Sequence, residues 1–456
     1  MKIFIQLIAI SLFLVSCNQP EKQTEKESKP TEPEIHDVWS KNATIYEVNI
    51  RQHTPEGTFK AFKTDIPRLH EMGIKILWLM PVHPIGEENR KGNKGSYYSV
   101  KDYKAVNPEF GTMEDFKSLV NTAHEYDMKV IIDWVANHTA FDNVWTKSNL
   151  DYYNLDSLGK LQPPEGTDWW DVADLNYDNP DTRVAMIDAM QFWLTDGMID
   201  GFRCDVASFV PTDFWEACRD SLENVKPDVF MLAEANAPEL LVKAFDMDYG
   251  WEFMHIMNEI AKGSKKLSAL DDYRLKLDSI YQEDDYKMYF TTNHDENSWN
   301  GTVMERYGEK GHKTYAVLAF TFGDMPLVYS GQEAGMDYAL EFFEKDTVEW
   351  GDYKLQDFYS ALLKLNLDNK ALWNGEYGGS FERIKSLHDD VIYAYHRKKD
   401  EHEVVVVLNF SDKDVSTKFE GLPEGNFLSL FEDEEYTAIT SQETTLAPFA
   451  YHVFYK

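Results

Sequence analysis

A chain of 456 residues with 43% hydrophobic and 14% aromatic side chains can bury one large core and a smaller second one. Its formal net charge of −34 speaks against a nucleic-acid partner, because phosphate backbones are held by clustered Lys and Arg. A neutral or cationic ligand suits it better, and the 12 Trp, 25 Tyr and 27 Phe serve mainly as core with some rings left for stacking on sugars.

The first 16 residues begin with Lys2, run through IFIQLIAISLFLV and end at LVSC. The apolar run is too short for a comfortable membrane span and fits a secretory signal. Ser16-Cys17 resembles the bacterial lipobox, which implies an exported, cell-envelope lipoprotein anchored through lipidated Cys17, periplasmic or at the cell surface. A plain signal peptide is the alternative. Residues 17–36 are polar and Glu/Pro/Lys-rich, the composition of a disordered tether. Cys204 and Cys218, the only other cysteines, fall in core-forming patterns and are expected as free buried thiols.

From residue 37 to 375, β-rich runs alternate with helical patterns. The runs are 43–51, 74–82, 129–137, 197–205, 229–235, 244–251, 287–295 and 325–333, several almost continuously apolar, as strands covered on both faces should be. Between them, Phe116, Leu119, Val120 and Ala123 share one helical face opened by Thr112-x-x-Asp115. Val184, Ile187, Met190 and Leu194 share another, opened by Asn179-Pro180. Eight such units predict an α/β fold, a (β/α)₈ TIM barrel. The competing doubly wound sheet lacks support, since no glycine-rich dinucleotide or phosphate loop follows a strand. Residues 139–176, rich in Trp and Asp, form a long insertion after the third strand, expected as a short subdomain. Residues 376–456 switch to alternating patterns and predict a C-terminal antiparallel β-sandwich domain.

Asp133, Asn137, His138, Arg203, Asp205, Glu234, His294 and Asp295 all fall at or near the ends of these runs, which a barrel gathers at one rim. Breaking a glycosidic bond with retention needs an ionised nucleophile and a protonated acid about 5–5.5 Å apart. Asp205, two residues from Arg203 on one strand face, is expected to stay charged; Glu234, ending the apolar run VFMLAEA, is expected to gain its proton from burial.

Taken in order, the motifs resemble the α-amylase superfamily (glycoside hydrolase family 13). They are Asp133-Trp134-Val135-Ala136-Asn137-His138, Gly201-Phe202-Arg203-Cys204-Asp205, Glu234 in LAEA, and Asn293-His294-Asp295. Lesser matches lie at 73–82, 97–103, 172–176 and 323–333. The resemblance implies Asp205 as nucleophile, Glu234 as general acid/base and Asp295 as transition-state stabiliser. It implies that Arg203 fixes and ionises the nucleophile, that His138 and His294 bind sugar hydroxyls, and that Tyr98 stacks under the sugar. It also implies at most one Ca²⁺, with Asn137 and Asp174 as side-chain ligands; a domain-tying hydrogen bond between the same residues is the alternative. Ser208-Phe209 stand where many α-amylases carry Lys-His, which departs from the usual subsite pattern. No organic cofactor is implied. The function so implied is a retaining hydrolase of α-1,4-glucosidic bonds in starch or maltooligosaccharides. A transglycosylase or α-1,6-glucosidase of the same superfamily is the alternative, and a non-catalytic carbohydrate-binding protein the remote one.

Overall fold

The computed structural model describes residues 38–432, 435–437 and 443–456; the signal segment, the tether and Cys17 lie outside the described residues. Eight parallel strands close a barrel: β1 (Ile45–Val48), β2 (Ile76–Leu79), β3 (Lys129–Trp134), β4 (Gly201–Cys204), β5 (Phe230–Ala233), β6 (Met247–Tyr249), β7 (Tyr286–Tyr289) and β8 (Met325–Tyr329). Each falls inside or within one residue of an expected run. The strands are buried on both faces, which is why their sequences read as continuous apolar runs.

The strands stop earlier than the runs do. The run at 287–295 yields a strand only to Tyr289, because the Asn293 side chain accepts the Glu296 backbone N–H at 2.8 Å and starts a helix, His294–Trp299. Asp295 therefore lies in the first turn of a helix and not at a strand tip.

Helix Met113–Glu125 carries the expected Thr112/Asp115 capping box and buries Phe116, Leu119, Val120 and Ala123. Helix Pro180–Thr195 starts at the expected Asn179 cap and buries Met190 and Leu194 of the expected face, with the inward stripe rotated toward Trp193. Met186, Ala189, Met190 and Trp193 are buried, while Val184 is 66% exposed. Trp193 decides this: its indole fills the core and donates to the Tyr103 carbonyl at 2.6 Å.

One glycine lets the barrel close beside the site. A Cβ on Gly201 would lie 2.0 Å from the Phe230 carbonyl oxygen, so only glycine lets β4 lie against β5 there. The insertion is pinned at its base by an antiparallel pair, His138–Ala140 against Val172–Asp174. Cys204 and Cys218 are free and buried.

Beyond residue 379, a seven-stranded antiparallel sheet and a separate two-stranded pair form the second layer. Strand period two divides its residues. Tyr393, Tyr395, Val404, Val406 and Leu408 join the barrel core, whereas Ile392, Ala394, Val405 and Val407 build a small core of their own. Arg397 crosses between the layers: its Nη1 donates to the carbonyls of Phe322 and Gly323, both at 3.0 Å, at the end of helix His312–Phe322.

Candidate active site

The site grows from one buried cation. Arg203 alternates inward from β4 opposite its register partner Asp133 on β3 and is fully buried. Its Nη1 donates to Asp133 Oδ1 at 2.8 Å and Asp205 Oδ1 at 3.0 Å, and its Nε donates to the Tyr249 hydroxyl at 2.9 Å. Its Nη2 lies 2.9 Å from Glu234 Oε2, an ion pair off the angle of a hydrogen bond. One guanidinium thus grips three carboxylates, two of them expected catalytic residues.

Facing this group is a second one. His294 pairs through Nδ1 with buried Glu47 of β1, and its Nε2 lies 2.8 Å from the Tyr98 hydroxyl and 3.4 Å from Asp295 Oδ2. Tyr98 donates to Asp133 Oδ2 at 3.0 Å, joining the two groups into one network. Tyr98, His138, Asp205, Glu234, His294 and Asp295 line a single cleft of about 680 Å³. Arg203 lies behind the lining, and Asn137 and Asp174 lie off the cleft.

The electrostatics correct the charge expected on Asp205. Burial, then the Glu234 charge, push the Asp205 carboxyl well above its ordinary value despite Arg203, whose single charge is divided among three acids. Glu234 is not in an apolar pocket: besides Arg203, its Oε2 accepts the Val206 backbone N–H at 2.8 Å. Burial opposes the charged form of His294, but the carboxylates of Asp295 and Glu47 outweigh it and raise the ring to about 9. His138 has burial alone and is lowered to about 3, so it is neutral.

Such a rim of acids on a closed barrel, followed by an antiparallel sheet, agrees with the comparisons. The family model for "Alpha amylase, catalytic domain" matches residues 40–172 and 166–379, more than half of the chain. The chain belongs to the α-amylase family. It is a glycoside hydrolase, and residues 382–453 match a second family model, "Maltogenic Amylase, C-terminal domain". Among relatives, Alpha-amylase MalA of Haloarcula japonica is 26% identical over 85% of this chain, which spans only 58% of that protein. Alpha-amylase 3 of Dictyoglomus thermophilum is 27% identical over 82% of this chain and 86% of its own. The solved structure of a noncanonic maltogenic alpha-amylase, AmyB, from Thermotoga neapolitana superposes with a TM-score of 0.82 at 28% identity, covering 91% of this chain and 99% of that one.

Relative to this α-amylase frame, sequence reasoning passed over Glu47 and gave Asp133 no role. The signal for Glu47 was an isolated acid inside the apolar run ATIYEVNIR, which burial makes costly unless it is paired. It also passed over the rings of Trp169, Trp299 and Phe342, which line the cleft from loops whose packing no periodicity reports.

Of the two residues suggested for calcium, Asp174 is engaged through a carboxylate oxygen and Asn137 through its amide nitrogen. Asn137 Nδ2 contacts His138 Nδ1 at 3.2 Å, and Asp174 Oδ2 accepts from Asn154 Nδ2 at 2.7 Å. Ca²⁺ takes six to eight oxygens, usually several from carboxylates. The two side chains supply one carboxylate and one amide oxygen, and no group of three or more His, Cys, Asp or Glu among the described residues is placed to hold a metal.

Proposed function

We propose that this glycoside hydrolase cleaves α-1,4-glucosidic bonds in starch or maltooligosaccharides by double displacement, with Asp205 as nucleophile, Glu234 as general acid/base and Asp295 as transition-state stabiliser. The observation that carries the reading is the shared guanidinium: Arg203 lies within 3.0 Å of both Asp205 and Glu234, and Asp295 lines the same cleft as these two acids. In the first step Glu234 gives its proton to the glycosidic oxygen as an Asp205 oxygen bonds to the anomeric carbon and the sugar–oxygen bond breaks. In the second, Glu234 takes a proton from water, the water oxygen bonds to the anomeric carbon, and Asp205 leaves. Two inversions retain configuration. Asp295 offsets the positive charge that develops on the ring in each step.

In the free site burial and the Glu234 charge favour the protonated form of Asp205. A glycosidic oxygen that accepts a hydrogen bond from Glu234 favours the acid form there and leaves Asp205 charged, as attack requires. Neutral His138 and cationic His294 donate to sugar hydroxyls, and the Tyr98 ring forms the floor.

The test is release of reducing ends from soluble starch, maltotriose and pullulan by the wild type, with loss of about 10⁴-fold or more in Asp205→Asn. Absence of release from every α-glucoside defeats the reading. Transfer to a sugar hydroxyl is the second reading, favoured by the exposed Phe209 ring lying parallel to Trp169, 6.1 Å away, where an acceptor sugar can stack. Products longer than the substrate reveal it.

We propose that hydrogen bonds to His138 and Asn154 hold the Asn137 and Asp174 side chains without calcium; a chelator then leaves melting temperature and activity unchanged. The chain is exported and anchored at Cys17, a reading supported by the LVSC pattern. Radiolabelled palmitate incorporated into the wild type but not into Cys17→Ala supports it. Among the described residues no helix is long and apolar enough to cross a membrane.

A further inference from the structure

The two ends of the cleft are built differently. At the end beside His294 and Tyr98, three loops lock together: residues 83–99 after β2, the helix His294–Trp299 after β7, and residues 336–350 after β8. Lys94 N donates to the Phe343 carbonyl at 2.9 Å, and Asn93 N and Nδ2 donate to the two oxygens of Glu344 at 3.0 and 2.8 Å. Lys345 Nζ donates to the carbonyls of Arg51 and Thr54 at 2.6 and 2.8 Å, and Leu340 N donates to Asn297 Oδ1 at 2.9 Å. The rings of Phe342 and Phe343 pack on Trp299 at 5.6 and 6.0 Å, and Phe342 lies parallel to Tyr98. Gly92 has φ +59° and no room for a side chain, since a Cβ would sit 2.5 Å from Phe343 Cβ.

The same loop is tied on its other flank to the insertion. Lys91 Nζ lies 2.9 Å from Asp171 Oδ1 and 5.2 Å from the centre of the Trp170 ring. Residues 91–94 are therefore fastened on both sides and form a wall. Beside Val206, whose N–H holds Glu234, Phe209 is 57% exposed over Trp169.

The general acid protonates the leaving oxygen, so the departing part of the glucan lies on the Glu234 side and the retained sugars lie on the His294–Asp295 side. We infer that the wall of Lys91 and Phe343, braced by the Asn93–Glu344 pair, closes the retained-sugar side, so that the enzyme works from non-reducing chain ends and releases a short product of fixed length. The remainder of the glucan extends over Trp169 and Phe209. This rests on the roles given above to Asp205, Glu234 and Asp295, and its test separates the two readings.

The experiment compares maltoheptaose with the same oligosaccharide blocked at its non-reducing end by an ethylidene acetal, with products resolved by chromatography. Wild type is expected to give one short product from free maltoheptaose at the earliest times. The blocked form, unable to reach the reacting geometry, is cut about 100-fold more slowly. Asn93→Ala/Glu344→Ala, with Lys91→Ala as the second variant opening the other flank, narrows that difference. Equal rates on the two substrates overturn the inference while leaving the catalytic reading intact. Discrimination unchanged in folded variants of both flanks overturns the wall as its cause. Failure to cleave either substrate overturns the catalytic reading, and the inference with it.

Discussion

Glu47→Gln isolates the charge beneath His294. Glu47 is fully buried on β1 and its carboxylate pairs with His294 Nδ1. Against the opposing effect of burial, Asp295 and then Glu47 lift His294 from 6.5 to about 9. A rise of that size is worth about 3 kcal/mol to the folded state. Because the folded state holds the proton more tightly, this stability is fully present below 6.5 and is lost as pH rises through about 9. Two carboxylates share the effect, so replacing Glu47 by its neutral isostere removes roughly half, about 1–2 kcal/mol. Urea denaturation of wild type and variant across this pH range is the assay. The variant is less stable below 6.5, and the gap closes above about 9, where the wild type also holds a neutral ring beside its buried acid. A gap of constant size at every pH refutes the reasoning and assigns Glu47 a role in packing alone.

Other consequences are simpler to test. Arg203→Lys cannot hold Asp133, Asp205 and Glu234 together, so denaturation should show a loss of about 3–5 kcal/mol and kcat should fall steeply. Asp205 is raised by burial and by Glu234, so kcat/KM should decline on an acid limb clearly above 3.8; a limb at or below that value contradicts the geometry. Gly201→Ala drives a methyl into the Phe230 carbonyl and should cost about 3 kcal/mol, read as a fall in melting temperature with any surviving protein still active.

The barrel was legible because its strands are covered on both faces, and long apolar runs such as KVIIDWVAN have few other uses. The residues that line the cleft were legible for a related reason: a polar side chain at the end of such a run needs a purpose. Strand ends were less legible, since the Asn293 cap competes with strand extension through a single side chain. The inward face of helix Pro180–Thr195 was read only in part, at Met190 and Leu194, because one large residue, Trp193, outweighs several smaller ones. The raised proton affinity of Asp205 was out of reach. It depends on how one guanidinium is divided among residues on three strands, and the sequence showed only the pair two positions apart.

Arg397 has a wider consequence. A side chain of the C-terminal sheet caps the carbonyls that end a barrel helix, so the helix owes the sealing of its last turn to a residue made 75 positions after Phe322. During synthesis the barrel must wait for its tail before that end is sealed. An abbreviated enzyme stopping near residue 375 would expose the ring-rich face that Tyr393 and Tyr395 now cover, and would clump instead of merely losing an accessory. Exchanging tails between family members would then succeed only when the donor brings a cation to the same carbonyls.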